Sequence, residues 1–309
     1  MTDSHRPAPS HDHVVVAALK QLRPKQWTKN AFLFPALIFS GEFLNVNSLI
    51  QSGAAFAAFC LLSSTGYILN DALDREADAK HPKKRHRPIA SGDLPIRAAI
   101  AEMLVVFVLG IAIAAWVGPC FLGIAALYLT TTLSYSFYFK HVVILDVMFL
   151  ASGFVWRTLA GAIAIDVSVS AWLFLCTAFL SLFLGFNKRR AELLQVGAGA
   201  GTRRNLEQYS PQMLGEYQSI VTGATVLCYS LYAVLGPTPW MTLTIPWVMY
   251  GIFRYIYLVD RKGEGGAPDE TLLRDRPMLL TGVGYVLTAV AVLLLMKQGW
   301  LPDLPVTPA

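Results

Sequence analysis

Charge is what this 309-residue chain has least of. Only 15% of its residues are Asp, Glu, Lys or Arg, against 55% hydrophobic, whereas a soluble domain carries about 25% charged residues. That imbalance excludes an ordinary water-soluble globular domain, and the mean hydropathy of +0.49 agrees. Cysteine is scarce too. Cys60, Cys120, Cys176 and Cys228 all fall in apolar stretches with no metal-ligand spacing, so they predict small core residues with no disulfide role. No repeat of 20–50 residues and no second soluble domain is visible. A cleavable signal peptide is not expected, because residues 1–13 are polar and include Pro7, Pro9, His5, His11 and His13. The tail 1–19 is expected to be disordered and its histidines incidental.

What is abundant is long apolar sequence. Nine segments are long and apolar enough to span a bilayer: 29–46, 50–70, 96–116, 119–139, 142–164, 170–187, 214–236, 239–259 and 277–296. The first is short and interrupted by Pro35 and Glu42. Of the 25 Lys and Arg residues, only Arg157 falls well inside a span and only Lys297 lies at a non-basic end. All the others lie in the N-terminal stretch, in the loops after spans two, four, six and eight, or at adjoining helix ends. The positive-inside rule makes those regions cytoplasmic. The net charge of +5 is then an orientation signal and an anion-binding surface, with nothing to suggest nucleic acid. The polar loops 71–95, 188–213 and 260–276 concentrate the ionisable groups on one side, which is where a reactive centre is expected. The fold class is an all-α membrane protein, with one intramembrane domain over 20–298 and a short tail over 299–309.

Asn70-Asp71-Ala72-Leu73-Asp74-Arg75-Glu76-Ala77-Asp78 ends the second span. On a continuous helix Asn70, Asp71, Asp74 and Asp78 point at about 0°, 100°, 40° and 80°. They share one face over roughly 12 Å of axis. Carboxylates crowded in this way repel unless a cation sits among them, and hard oxygen ligands suit Mg²⁺ shared with substrate phosphates. The competing reading is a solvated acidic helix end. Its position where an apolar helix leaves the membrane favours the metal.

This motif, followed by Arg87-Pro88-Ile89-Ala90-Ser91-Gly92, resembles the first signature of the UbiA-type intramembrane prenyltransferase superfamily. Leu22-Arg23-Pro24-Lys25-Gln26-Trp27-Thr28-Lys29-Asn30 resembles the opening of its decaprenyl-phosphate phosphoribosyltransferase subgroup. So do Asn187-Lys188-Arg189-Arg190-Ala191-Glu192-Leu193 and Leu273-Arg274-Asp275-Arg276. The resemblance runs from about residue 20 to 295. It implies a nine-transmembrane-helix bundle around a central cavity with cytoplasmic cap loops. It also implies a reaction in which 5-phosphoribosyl 1-diphosphate and a polyprenyl phosphate give polyprenyl-phosphoryl-5-phosphoribose and diphosphate. Such a product would feed lipid-linked arabinose for cell-wall polysaccharide.

Aromatic-acceptor relatives carry a second aspartate-rich motif after helix six. Here Lys188, Arg189 and Arg190 stand there, leaving Glu192. A substrate pair with extra phosphates calls for cations, arginine above all, so Lys188 and Arg189 are expected on phosphate. The alternative is topology-setting charge with Lys188 and Glu192 as an i,i+4 pair. Lys140, with Tyr135 before it, resembles the family's element that reaches leaving diphosphate. Asp146 is expected to face the cavity or pair with Lys140, and Arg157 falls within about 20° of its face. Arg23, Lys29, Lys84, Arg85 and Arg87 are phosphate-binding candidates. Arg203 and Arg204 are weaker ones. The small residues Ala151, Gly153 and Gly161 suggest close helix packing and a homo-oligomer contact. Two other readings compete: prenyl transfer to an aromatic acceptor, and an ion-coupled transporter. The second fits poorly, because the acids cluster at one membrane edge.

Overall fold

The computed structural model describes residues 11–80, 84–196, 205–236, 238–262, 271 and 274–302, and all regular structure among them is helical. Seven helices are long and apolar enough to cross a membrane. They are α3 (Val46–Leu73), α6 (Ile96–Val117), α7 (Pro119–Phe137), α8 (Leu145–Ala164), α9 (Ala171–Val196), α10 (Pro211–Leu235) and α12 (Arg276–Lys297). Shorter helices are α1 (His11–Gln21), α2 (Pro35–Phe39), α4 (Arg75–Lys80), α5 (Pro88–Ser91) and α11 (Ile245–Lys262). Arg203, Arg204 and Leu273 lie outside the described residues, as do the ends of both tails.

Two of the nine expected spans are not met as single apolar helices. The first breaks into a 3₁₀ stretch (Pro24–Leu33), α2, and a 3₁₀ turn (Glu42–Leu44). Pro24 and Pro35 each remove a backbone donor and start a new element, and Gly41 in the left-handed region ends α2. The eighth divides into a 3₁₀ stretch (Pro239–Thr244) and α11, whose apolar run is cut by Arg254 and ends at Asp260, Arg261 and Lys262. The N-terminal stretch expected as a disordered tail carries helix α1 over its described part.

Local chemistry explains the breaks. Asn45 accepts from the Asn47 and Ser48 amides to start α3. Ser210 and Asp275 do the same for α10 and α12 from Met213 and Met278. Only Gly118 separates α6 from α7, and its φ of 151° permits that reversal. Helix α3 packs along α6, α9 along α10, and α8 lies between α7 and α9. The described ends of α7, α8, α9 and α11 meet at one end of the bundle, where Arg189 of α9 pairs with Asp146 of α8 and Arg190 pairs with Asp260 of α11.

The broken 24–44 segment is wedged inside, against α3 and α8. Leu33 joins the core of Phe59, Phe121, Tyr128 and Ala160. The fit depends on Gly161, where an added Cβ would lie 1.9 Å from the Leu33 carbonyl oxygen. Ala151, Gly153 and Gly161 are all buried within the subunit, Gly161 against Leu33 and Gly153 beside Arg157 and Tyr128, so the small-residue stripe packs on this chain's own elements. Gly161→Val should lower stability by about 3 kcal/mol through overpacking. A thermal-unfolding series in detergent, with Gly223→Ala as an unstrained control, would show it. Equal midpoints for the two variants would refute the wedge.

Candidate active site

At the polar end, α3 stops at Leu73 and α4 starts at Arg75, with Asp74 between them. The single helical face predicted for the acids is thus bent at Asp74. The backbone keeps helical contacts across it, with Asp74 N–H on Asn70 O and Asp78 N–H on Asp74 O. Asp71 and Asp78 are buried, at 3% and 2% exposure, while Asp74 and Asn70 are half-buried. Among the described residues no three His, Cys, Asp or Glu side chains gather closely enough to share a metal. Asp71 and Asp78 are the two acids that the fold brings together, both on Arg87.

That pair converges on one nitrogen. Arg87 Nη1 lies 2.9 Å from Asp71 Oδ1 and 2.5 Å from Asp78 Oδ2. Arg23 Nη2 reaches both Asp71 oxygens at 2.6 Å, Gln21 Nε2 reaches Oδ2 at 2.9 Å, and Lys84 stands 3.6 Å from Asp78. Arg23 holds this position from a left-handed backbone, φ 55°, which a non-glycine residue adopts at some cost. Arg23 and Arg87 side chains remain 25% and 28% exposed, so both have room to turn toward a ligand. Lys29 is hydrogen-bonded to Gln26. Arg75 and Glu76 form an exposed surface pair, away from these contacts.

A second charged centre joins α7, α8 and α9. Asp146 is fully buried. Its partner is not Lys140, which stands in the partly exposed 3₁₀ turn Phe139–His141, but Arg189, whose Nε donates at 2.7 Å. The same guanidinium donates to Glu192 at 2.6 Å and to the Tyr135 hydroxyl at 3.1 Å. Arg189 is therefore occupied by protein acceptors, and Glu192 pairs with it at i,i+3. Lys188, one residue earlier, is half-buried. Asn205 Nδ2 and the Tyr209 hydroxyl complete the Asp146 shell at 2.9 and 2.8 Å. Tyr209 also accepts the amide of Ile144 at 2.6 Å, which steadies a β-branched residue at φ 69°. Burial raises the Tyr209 hydroxyl pKa, so at neutral pH it remains a donor to Asp146.

Deeper in the bundle, Arg157 is buried with its donors placed on Asn30 Oδ1 (2.7 Å), the Gly153 carbonyl (2.8 Å) and the Tyr128 hydroxyl (2.9 Å). It also stacks over the Tyr128 ring. At the α11–α12 junction, Arg254 makes two bonds to Asp275, at 3.1 and 2.8 Å. These bonds hold the Asp275 carboxyl below its usual pKa while it caps α12. An apolar cavity of about 320 Å³ opens among the 24–44 segment, α9, α10, α11 and α12, lined by Phe32, Phe39, Leu184, Tyr229, Ile252 and Tyr285.

Sequence reasoning missed Gln21, Asn30, Tyr128, Asn205 and Tyr209. Asn30 ends a motif already singled out, and Asn205 and Tyr209 lie within the polar loop expected over 188–213. No periodicity argument could have joined them to residues dozens of positions away.

The model of the UbiA prenyltransferase family matches residues 32–269. The decaprenyl-phosphate phosphoribosyltransferase of Corynebacterium glutamicum is 35% identical over 291 residues, covering 91% of this chain and 87% of that protein. Its Mycobacterium tuberculosis counterpart is 33% identical over 287 residues, covering 90% and 95%. Among solved structures, a UbiA homolog from Archaeoglobus fulgidus bound to GPP and Mg²⁺ superposes with a TM-score of 0.71 at 17% identity, covering 90% of this chain and 99% of that one. At that identity the likeness concerns the fold.

Removing one partner of a buried ion pair strands the other. Asp146→Ala should cost about 3 kcal/mol of stability, and Tyr209→Phe about 1–2 kcal/mol, as expected for a hydrogen bond to a charged group. Denaturation monitored in detergent micelles would rank them, and an Asp146→Ala protein as stable as the parent would contradict the assigned network.

Proposed function

This chain belongs to the UbiA prenyltransferase family, and on that premise we propose that it transfers 5-phosphoribose from 5-phosphoribosyl 1-diphosphate to a polyprenyl phosphate of the decaprenyl type. The products are polyprenyl-phosphoryl-5-phosphoribose, a precursor suited to lipid-linked arabinose and cell-wall polysaccharide, and diphosphate. The protein is a multi-pass membrane protein. We place it in the inner (plasma) membrane with its polar end toward the cytoplasm, because the basic residues collect there. In this reading the two divided segments also lie within the bilayer, giving nine embedded segments and a cap of polar loops.

The observation that carries the reading is the pairing of two buried carboxylates with movable arginines at the polar end, together with relatives of that activity matching about nine-tenths of the chain. The pair fits a divalent cation. Asp71 and Asp78 already hold one positive nitrogen between hard oxygen donors, the chemistry Mg²⁺ requires. Asp71 and Asp78 would hold the ion, with Asp74 and Asn70 beside them supplying an oxygen or ordering a water. When bound, Mg²⁺ supplies charge neutralisation for the diphosphate.

The chain's own side chains do the rest. Arg23, Arg87, Lys84, Lys29 and Lys140 offer donors for the donor's 5-phosphate, the diphosphate and the acceptor phosphate. Lys188 flanks them. The ribose C1–O bond to diphosphate breaks with its electron pair leaving on the diphosphate. An oxygen of the acceptor phosphate bonds to C1 through an oxocarbenium-like state. That oxygen is already anionic at neutral pH, so no strong base is needed, and catalysis rests on positioning and electrostatics. The apolar cavity suits the isoprenoid next to the phosphate. At about 320 Å³ it takes only part of a long chain, leaving the remainder in the bilayer.

Purified protein in detergent with Mg²⁺, labelled phosphoribosyl diphosphate and polyprenyl phosphate should yield a ribosylated lipid. Turnover of a prenyl diphosphate with an aromatic acceptor, and no ribosylated lipid, would overturn the reading. Asp78→Asn should reduce turnover at least 100-fold, equivalent to about 3 kcal/mol, while the protein still folds and inserts. Asp74→Ala should likewise abolish Mg²⁺-dependent turnover if its carboxylate or a water on it completes the metal shell.

A further inference from the structure

The two carboxylate–arginine centres are built differently, and the difference bears on how many metal ions the enzyme uses. At the first, Arg87 and Arg23 come from loop and 3₁₀ elements and keep about a quarter of their side-chain surface exposed. At the second, Arg189 comes from the polar, C-terminal part of α9 and its side chain is 2% exposed. Each of its nitrogens is committed: Nε to Asp146, Nη1 to Glu192 and Nη2 to Tyr135. Asp146 has no surface of its own and is further bonded by Asn205 and Tyr209. An arginine in the first position can swing aside for a cation, whereas Arg189 is closed off from solvent and held by three acceptors at once. Expelling it would leave a buried guanidinium unpaired, a loss larger than a weakly held Mg²⁺ would return.

We propose that Arg189 is a resident cation that closes the Asp146–Glu192 pair to metal, so that the centre works with one divalent ion per chain, held at Asp71 and Asp78. This rests on the metal assignment made above for the transferase reading. Arg189 is then a positioning residue. It neutralises a carboxylate pair that would otherwise need a second ion, and it fixes Glu192, whose side chain stays 31% exposed, and the Tyr135 hydroxyl. The basic Asn187-Lys188-Arg189-Arg190 run in place of acids thereby has a consequence beyond phosphate attraction: it writes one counter-ion into the covalent chain.

The test is a Mn²⁺ titration of the full-length protein in detergent with inorganic diphosphate, free ion being read by electron paramagnetic resonance. The expected result is one bound ion per chain, lost in Asp78→Asn and unchanged in number and affinity in Glu192→Gln, a variant that keeps the Arg189–Asp146 bond. Arg189→Lys, which retains the charge and loses the fork, should still bind one ion while turnover falls at least tenfold. Two ions per chain, or a weakened or missing ion in Glu192→Gln, would overturn the inference. Because the titration uses diphosphate and no sugar donor, its failure leaves the phosphoribosyl reading intact. Failure to ribosylate the lipid at a count of one would sink that reading alone.

Discussion

Carboxylates placed inside an apolar bundle must be neutralised, and this requirement organises the molecule. Asp71, Asp78 and Asp146 are each buried and each tied to arginine. An isolated ionised carboxylate in such surroundings costs several kcal/mol or shifts toward its neutral form. The partners come from far along the chain: Arg23 from the wedged N-terminal segment, Arg87 from the loop after α4, and Arg189 from α9. Each pairing therefore fixes a connection between elements as well as a charge. The bond of Tyr209 to Asp146 and Ile144 adds the chain after α9 to the same knot.

Much of this was legible in the sequence where a single element decides the matter. Apolar length gave seven of the spans, because length and hydropathy are properties of one segment. Pro35 and Glu42 already marked the weak first span, and the structure divides it there. The partner of Asp146 was not legible. Helical periodicity tells which residues share a face, and it placed Asp146 and Arg157 together. It does not tell which helix that face meets. Arg189 lies 43 positions away from Asp146, and Asn30 lies 127 from Arg157. The bend at Asp74 escaped for a similar reason: the 70–78 run has good helical spacing, and only the fold around it ends one helix and starts another.

The contrast between the two charged centres also explains why the basic run near the end of α9 need not be read as a simple phosphate grip. Charge counting assigned Lys188 and Arg189 the same role, yet the guanidinium of Arg189 is spent on its own carboxylates. What is left facing outward is the flank of Glu192, with Lys188 one residue before Arg189 in the chain. The aromatic-acceptor alternative would require a second metal–carboxylate cluster at this place, and the acids that could form it are already engaged.

Arg157 shows how the wedge and the site depend on one another. It is a cation in the interior whose hydrogen-bond partners among the described residues are all neutral: an amide oxygen, a carbonyl and a phenol. Its positive charge is thus less fully offset than that of Arg189, and the desolvation cost is borne by hydrogen bonds and by the Tyr128 ring. One of those bonds goes to Asn30, on the 3₁₀ stretch that begins next to Arg23. Seating that stretch against Gly161 therefore satisfies Arg157 below and delivers Arg23 to Asp71 above. Leu33, Asn30 and Arg23, which meet Gly161, Arg157 and Asp71, lie on one short length of chain, so displacing any one of these contacts disturbs the other two.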